Sequence, residues 1–251
     1  MQCGNRKFFT KSLKKMLFLQ SERMNCTKTE NMRLYLRLSK NTEIVPYEYQ
    51  QKLIGVIHNW LGDNDIHNGI SLYSFSWLHN GTMVEGGYDF KHGARWMIGF
   101  YDAQYVKKLI AAILRNPVVI SGMYVEDVVV EEPSGSREEG VFMLGSPVFI
   151  KRKTVEGKYK FYTFEDKESA DLMKETLLHK MDVAGKERDK TLSIQFDLNY
   201  SKKKVKTATI HGIQNKCSMC SVIIKGKPET IDFALCVGIG NSTGIGFGAL
   251  K

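Results

Sequence analysis

Met32-Arg-Leu-Tyr-Leu-Arg-Leu38, followed after a short gap by Pro46-Tyr-Glu-Tyr-Gln-Gln-Lys-Leu-Ile-Gly-Val-Ile-His-Asn-Trp-Leu61, decides the fold. The first run alternates polar and apolar residues with period two, as a half-buried strand does. In the second, Leu53, Val56, Ile57, Trp60 and Leu61 fall on one helical face, with proline opening the helix and Gly62 closing it. Two strand-like stretches follow, Ile70–Leu78 and Arg95–Phe100, joined by a glycine-rich turn. Asp102–Arg115 then reads as a second amphipathic helix with Val106, Leu109, Ile110, Ile113 and Leu114 inward, and Val118–Glu131 as a valine-rich strand. The order β-α-β-β-α-β is the split βαβ arrangement of a ferredoxin-like domain.

After the linker-like Pro133-Ser-Gly-Ser136 the same order can be traced again. Strand Val141–Ile150 leads through Lys151–Phe164 to helix Glu165–Met181. Leu192–Tyr200 and Lys204–Lys216 offer the middle strands, extended by Cys217–Ile224. Glu229–Cys236 is the closing helix, and Phe247–Leu250 the last strand. The expected fold is α+β, two tandem ferredoxin-like domains over residues 32–132 and 137–251. Residues 1–31 lack this organisation: seven basic side chains against two acidic ones leave them +5, so the rest carries +4 of the chain's net +9. They are expected to be a disordered basic tail or a start-site artefact with Met32 as the start, the alternative being a basic RNA-contacting arm.

At 251 residues the core is large enough to need no disulfides, and five scattered cysteines suit a reducing, cytoplasmic setting. No apolar run approaches the length of a membrane span, and the apolar stretch near the N-terminus is too short for a signal peptide. Cys217-Ser-Met-Cys220 with His211 nearby falls short of the four ligands of a structural zinc, and no cofactor or metal is expected.

Five glycines crowd Val237-Gly-Ile-Gly-Asn-Ser-Thr-Gly-Ile-Gly-Phe-Gly-Ala-Leu250. They follow a helix, and neither a dinucleotide-binding turn nor a P-loop is built in that order. Gly238, Gly240, Gly244, Gly246 and Gly248 instead suggest a loop whose bare amides cradle phosphate. Lys151-Arg-Lys153, continuing to Lys158-Tyr-Lys-Phe-Tyr162, interleaves cations with aromatics, as contacts to phosphate and base require. His58 on the first helix and His67 in the loop beyond it can divide acid and base roles near neutral pH, the requirement of metal-independent RNA cleavage.

These segments together resemble the CRISPR-associated endoribonucleases of the Cas six type, members of the RAMP superfamily that cut precursor CRISPR RNA within its repeats. The resemblance rests on the opening strand from Met32, Val45-Pro-Tyr-Glu-Tyr-Gln50, Ser71-Leu-Tyr-Ser-Phe-Ser-Trp-Leu78, Asn116-Pro-Val118, Leu144-Gly-Ser-Pro-Val148 and, most specifically, the glycine run near the C-terminus. It implies metal-free cleavage by 2′-OH attack, with His67 at the family's loop histidine and His58 where relatives carry tyrosine or histidine. Many relatives have a lysine where this chain has Ser71, so charge stabilisation is expected from Lys52, Ser71, a basic residue of the second half or the glycine-loop amides. The implied partner is repeat RNA, with effector-complex subunits and a second copy of the chain left open. The rival readings are an inactive repeat-RNA binder and a structural subunit of a CRISPR ribonucleoprotein.

Overall fold

The computed structural model describes residues 30–251 except Asp65, His67, Asn68, Ser134 and His211, and the backbone alone of Glu30. The expectation for residues 1–31 thus lies outside the described residues, apart from its last two. Those two already belong to β1 (Glu30–Leu38), whose Leu34, Leu36 and Leu38 are buried while Arg37 is exposed.

β1 pairs antiparallel with both β6 (Ala94–Asp102) and β7 (Val125–Glu131), and β6 pairs with β3 (Tyr73–Phe75), giving the order β3-β6-β1-β7. Helices α1 (Gln50–Leu61) and α2 (Ala103–Arg115) pack against one another, and their apolar stripes enter the same core as this sheet. Asp102 caps α2, its carboxylate accepting from the Gln104 N–H (2.8 Å).

Pro46 does not open α1. It lies in β2 (Val45–Pro46), opposite Gly87 of β5 (Gly87–Asp89), which also pairs with β4 (Thr82–Val84). An edge strand tolerates a residue without an N–H, and the helix starts four residues later, past the buried Tyr49. The glycine-rich turn after β3 is therefore this small sheet's own hairpin.

In the second half, β8 (Glu139–Phe142), β14 (Val222–Lys225) and β11 (Ser193–Phe196) form a sheet in the order β11-β14-β8, and Leu250 bridges to Leu144 beyond β8. α3 (Ser169–Val183) and α4 (Pro228–Val237) contribute their buried residues to its core. The order is that of the first sheet, so the chain has two tandem ferredoxin-like folds, the second carrying two inserted hairpins. One joins β9 (Ile150–Lys153) to β10 (Tyr159–Tyr162), and the other joins β12 (Lys204–Ile210) to β13 (Ile213–Met219).

Three expectations are corrected here. Val141–Ile150 is interrupted at Leu144-Gly-Ser-Pro147, Lys204–Met219 folds on itself at Gly212 (φ 72°) instead of supplying a middle strand, and Phe247–Leu250 makes a single bridge instead of a strand.

The two halves meet with almost no space between backbones. A Cβ on Gly99 of β6 would stand 2.7 Å from the carbonyl oxygen of Cys236 in α4. Ser74 Oγ donates to that same carbonyl (2.9 Å), and Arg33, buried in β1, donates to the Leu250 carbonyl (2.8 Å). We predict that Gly99→Ala, which forces two backbones apart, destabilises the protein by about 1–3 kcal/mol. Urea titration should show this as a lower midpoint with an unchanged slope.

Candidate active site

α1 ends where Gly62 adopts φ 65° and donates its N–H to the His58 carbonyl. That places half-buried His58 in the last turn of the helix, immediately before the segment that contains His67. His67 itself lies outside the described residues. Lys52 is exposed near the other end of α1. Six residues of helix separate it from His58 by about 9 Å along the axis and about 120° around it, so α1 does not bring the two together.

Ser71 has a different neighbour. Half-buried just ahead of β3, it faces Gly244, where an added Cβ would collide with its Oγ and with the Tyr73 ring. Gly244 lies in a single 3-10 turn, Thr243–Ile245, which packs against both α1 and β3. The Tyr73 hydroxyl donates to the Gly244 carbonyl (2.9 Å), and the Trp77 indole N–H donates to that of Gly246 (2.8 Å).

All five glycines are buried. A Cβ on Gly240 would lie 2.6 Å from the Phe149 carbonyl oxygen, and on Gly248 (φ 63°) it would overlap the Ile239 carbonyl. These positions need glycine because the chain's own backbone and rings occupy the space, and the N–H groups of Gly238, Gly246 and Gly248 are donated to the Ala234, Thr243 and Pro147 carbonyls. Only Ser242 on the crest of this loop is exposed.

The Lys151-Arg-Lys153 cluster on β9 touches the same loop, but its three cations differ. Asn241 Oδ1 accepts from the Lys151 N–H (2.9 Å) and from Arg152 Nη1 (3.0 Å). Arg152 also donates to the Leu172 carbonyl and Thr176 Oγ1 of α3 and pairs with Glu175 (3.3 Å). It is a strut between hairpin, helix and loop. Lys151 Nζ lies 4.4 Å from the centroid of the Tyr159 ring, and Lys153 is exposed. Across from them, Lys206 of β12 stands 5.0 Å over the Trp77 ring. Glycine loop, Ser71, the helix bearing His58 and the basic β9 strand are thus contiguous.

Sequence reasoning missed Lys180. It is fully buried in α3, and its Nζ donates to the Val237 carbonyl (2.7 Å), the Gly238 carbonyl (3.2 Å) and Thr243 Oγ1 (2.8 Å). Thr243 Oγ1 in turn donates to the Tyr73 carbonyl (2.9 Å). One ammonium therefore ties the end of α4 to the glycine turn, and through it to β3. The signal was present: Lys180 falls on the stripe of Met173, Thr176, Leu177 and Met181, where a charge is out of place.

His79 is not among the expected acid–base residues. Burial, helped by Lys251 with Nζ 3.4 Å from Nδ1, lowers its pKa to about 4, so it carries no proton to give at neutral pH. Cys217 and Cys220 are buried, and burial raises both thiols to about 12 and about 11.

Burial also lowers the Lys180 pKa from 10.5 to about 7, whereas three acceptors around one nitrogen favour the ammonium. Folding then expels a proton between those two values, since the unfolded chain binds more protons than the folded one. We predict that the stability of the wild type relative to Lys180→Met rises with pH between about 7 and about 10 and is flat below. Chemical denaturation across pH measures it, and a flat difference throughout would show that the acceptors hold Lys180 fully charged.

Residues 130–251 match the family model for "CRISPR associated protein Cas6, C-terminal". No curated protein matches the chain. Among solved structures, one described as characterization of a Cas6-related gene from Pyrococcus furiosus superposes with a TM-score of 0.77 at 19% identity, covering 88% of this chain and 98% of that one. A CRISPR associated protein Cas6 gives 0.73 at 21% identity over 88% and 99% of the two chains. An RAMP protein described as binding different RNA substrates gives 0.73 at 19% over 88% and 98%. At such identities these likenesses are of fold.

Proposed function

We propose that this is a Cas6-type CRISPR-associated protein, by the family match of residues 130–251 and the fold of the whole, and that it processes precursor CRISPR RNA by metal-independent cleavage within the repeat. The observation that carries the reading is the convergence of α1, Ser71 and the glycine turn beside the basic β9 strand, next to the segment that holds His67. The RNA binding stated for one solved structure of this fold agrees with it.

In this reading the ribose 2′ oxygen attacks the adjacent phosphorus while one of His67 and His58 takes the hydroxyl proton. The bond from phosphorus to the 5′ oxygen breaks, and the other histidine supplies the proton that oxygen needs. The products are a 2′,3′-cyclic phosphate and a 5′-hydroxyl. Ser71, beside the glycine turn, is better placed than Lys52 to donate to the charged phosphorane. Lys151 and Lys153 contact RNA phosphates, whereas Arg152 and the five glycines serve the RNA by holding the fold. The 32–132 and 137–251 units then act as a catalytic domain and an RNA-gripping domain. A second reading, binding without cutting, is favoured by the uncharged Ser71.

The test uses RNA carrying a CRISPR repeat from the genome that encodes the protein, in excess EDTA, all-ribose or with one 2′-deoxy at the cut. Cleavage of the first and not the second is expected. His67→Ala and His58→Ala should each slow it by about 10²–10⁴-fold while RNA affinity stays within about threefold. Tight binding with no cleavage of either RNA would overturn the catalytic reading in favour of the second.

A companion prediction separates the cations. Lys151→Ala with Lys153→Ala should lower the slope of log affinity against log salt by about 0.7 for each lysine removed from a single strand. Arg152→Ala should instead lower the melting temperature.

A further inference from the structure

A cavity of about 390 Å³ opens between the two halves, beside the loop that follows α1. Ile66 and Gly69 border it from that loop, Leu72 leads from it into β3, and Val183 and Ala184 close it from the end of α3. Its aromatic wall comes from the end of β6 and the first turn of α2. Tyr73 stacks on Phe100 (5.0 Å, 9°), and Phe100 meets Tyr105 (5.5 Å). The Tyr101 hydroxyl donates to the Ala184 carbonyl (3.3 Å), fixing that ring across the two halves.

Two further features give this cavity a chemistry. Each of its outer tyrosines has a lysine ammonium over its face, Lys186 at 5.2 Å from the Tyr101 centroid and Lys108 at 5.5 Å from that of Tyr105. Among the described lining residues the anionic group is the exposed carboxylate of Asp102. Aromatic walls, cations beside them and the acceptor-only carboxylate of Asp102 match a nucleotide, with the base among the rings and its phosphate at the lysines.

We propose that this cavity receives the base of a nucleotide flanking the scissile phosphate, and that Asp102 sets its identity. The proposal rests on the cleavage reading for the word flanking, since the cavity borders the loop that contains His67. A carboxylate accepts from the amino group of adenine, guanine or cytosine. Uracil offers only one N–H between two carbonyl oxygens, and those oxygens repel the carboxylate. The pocket therefore selects against uracil. Tyr101 and Tyr105 supply stacking that every base can use.

The probe is the full-length repeat RNA, made uncleavable by 2′-deoxy substitution and carrying 2-aminopurine at each position in turn. Binding should quench the fluorescence severalfold at one position next to the cut, and Tyr105→Leu should restore most of it. Placing uracil there in otherwise native RNA should reduce cleavage or affinity about tenfold. Asp102→Asn should abolish that penalty while keeping the cap on α2, because asparagine caps as well as aspartate. The asparagine variant and thermal melting guard against misfolding of Tyr105→Leu.

Quenching at no position, quenching indifferent to Tyr105, or uracil accepted as readily as cytosine would overturn the proposal. If quenching and its Tyr105 dependence persist while all-ribose RNA stays uncut, the cleavage reading fails and the base pocket stands. Cleavage without Tyr105-dependent quenching removes the pocket alone.

Discussion

The structure depends on bringing one stretch of bare backbone, residues 238–248, into van der Waals contact with nearly everything that matters. β3 of the first sheet and the Phe149 carbonyl ahead of β9 approach it within distances that no Cβ would allow, and the end of α4 runs directly into it. Glycine makes the approach possible, but it supplies no attraction. That comes from Lys180, whose ammonium collects the terminal carbonyls of α4 and the Thr243 hydroxyl, and from Tyr73 and Trp77, which donate to the carbonyls of Gly244 and Gly246. Carbonyls at a helix end attract a cation, and burial strengthens the attraction while penalising the charge itself.

This joint explains how residues from both halves meet. His58, Ser71 and Lys151 are separated by long stretches of chain, and each is positioned by an element that touches the 238–248 segment: α1 and β3 against the 3-10 turn, β9 through Asn241. Many of the contacts are made by backbone atoms, so the geometry tolerates changes in side chains elsewhere but not the addition of a methyl group at these glycines.

The element order was legible because both helices of the first half and all the strands of its sheet follow simple periodicity. Leu34, Leu36 and Leu38 alternate, and Leu53, Val56, Ile57 and Trp60 recur at helical spacing. What periodicity could not separate was a hairpin from a sheet strand: Lys204–Met219 has strand character throughout, and its pairing partner is decided at Gly212. The candidate site was legible only in residue types. Arg33, Arg152 and Lys180 look on paper like solvated or RNA-facing cations, yet all three are spent on carbonyls, carboxylates and hydroxyls of their own chain. A cation's role depends on which acceptors the fold brings within 3 Å, and a linear pattern carries that information only when, as at Lys180, the charge sits on an otherwise apolar stripe.

The most direct test of this account is Gly244→Ala, assayed for repeat-RNA affinity and for cleavage rate in parallel, with melting as a control for folding. The new methyl group meets Ser71 and the Tyr73 ring without touching the basic β9 strand. If the glycine segment works by positioning α1, Ser71 and β3, cleavage falls by an order of magnitude or more while affinity holds. A loss of affinity with the cleavage rate of bound RNA unchanged would contradict the account and return the glycines to the role of a direct RNA cradle.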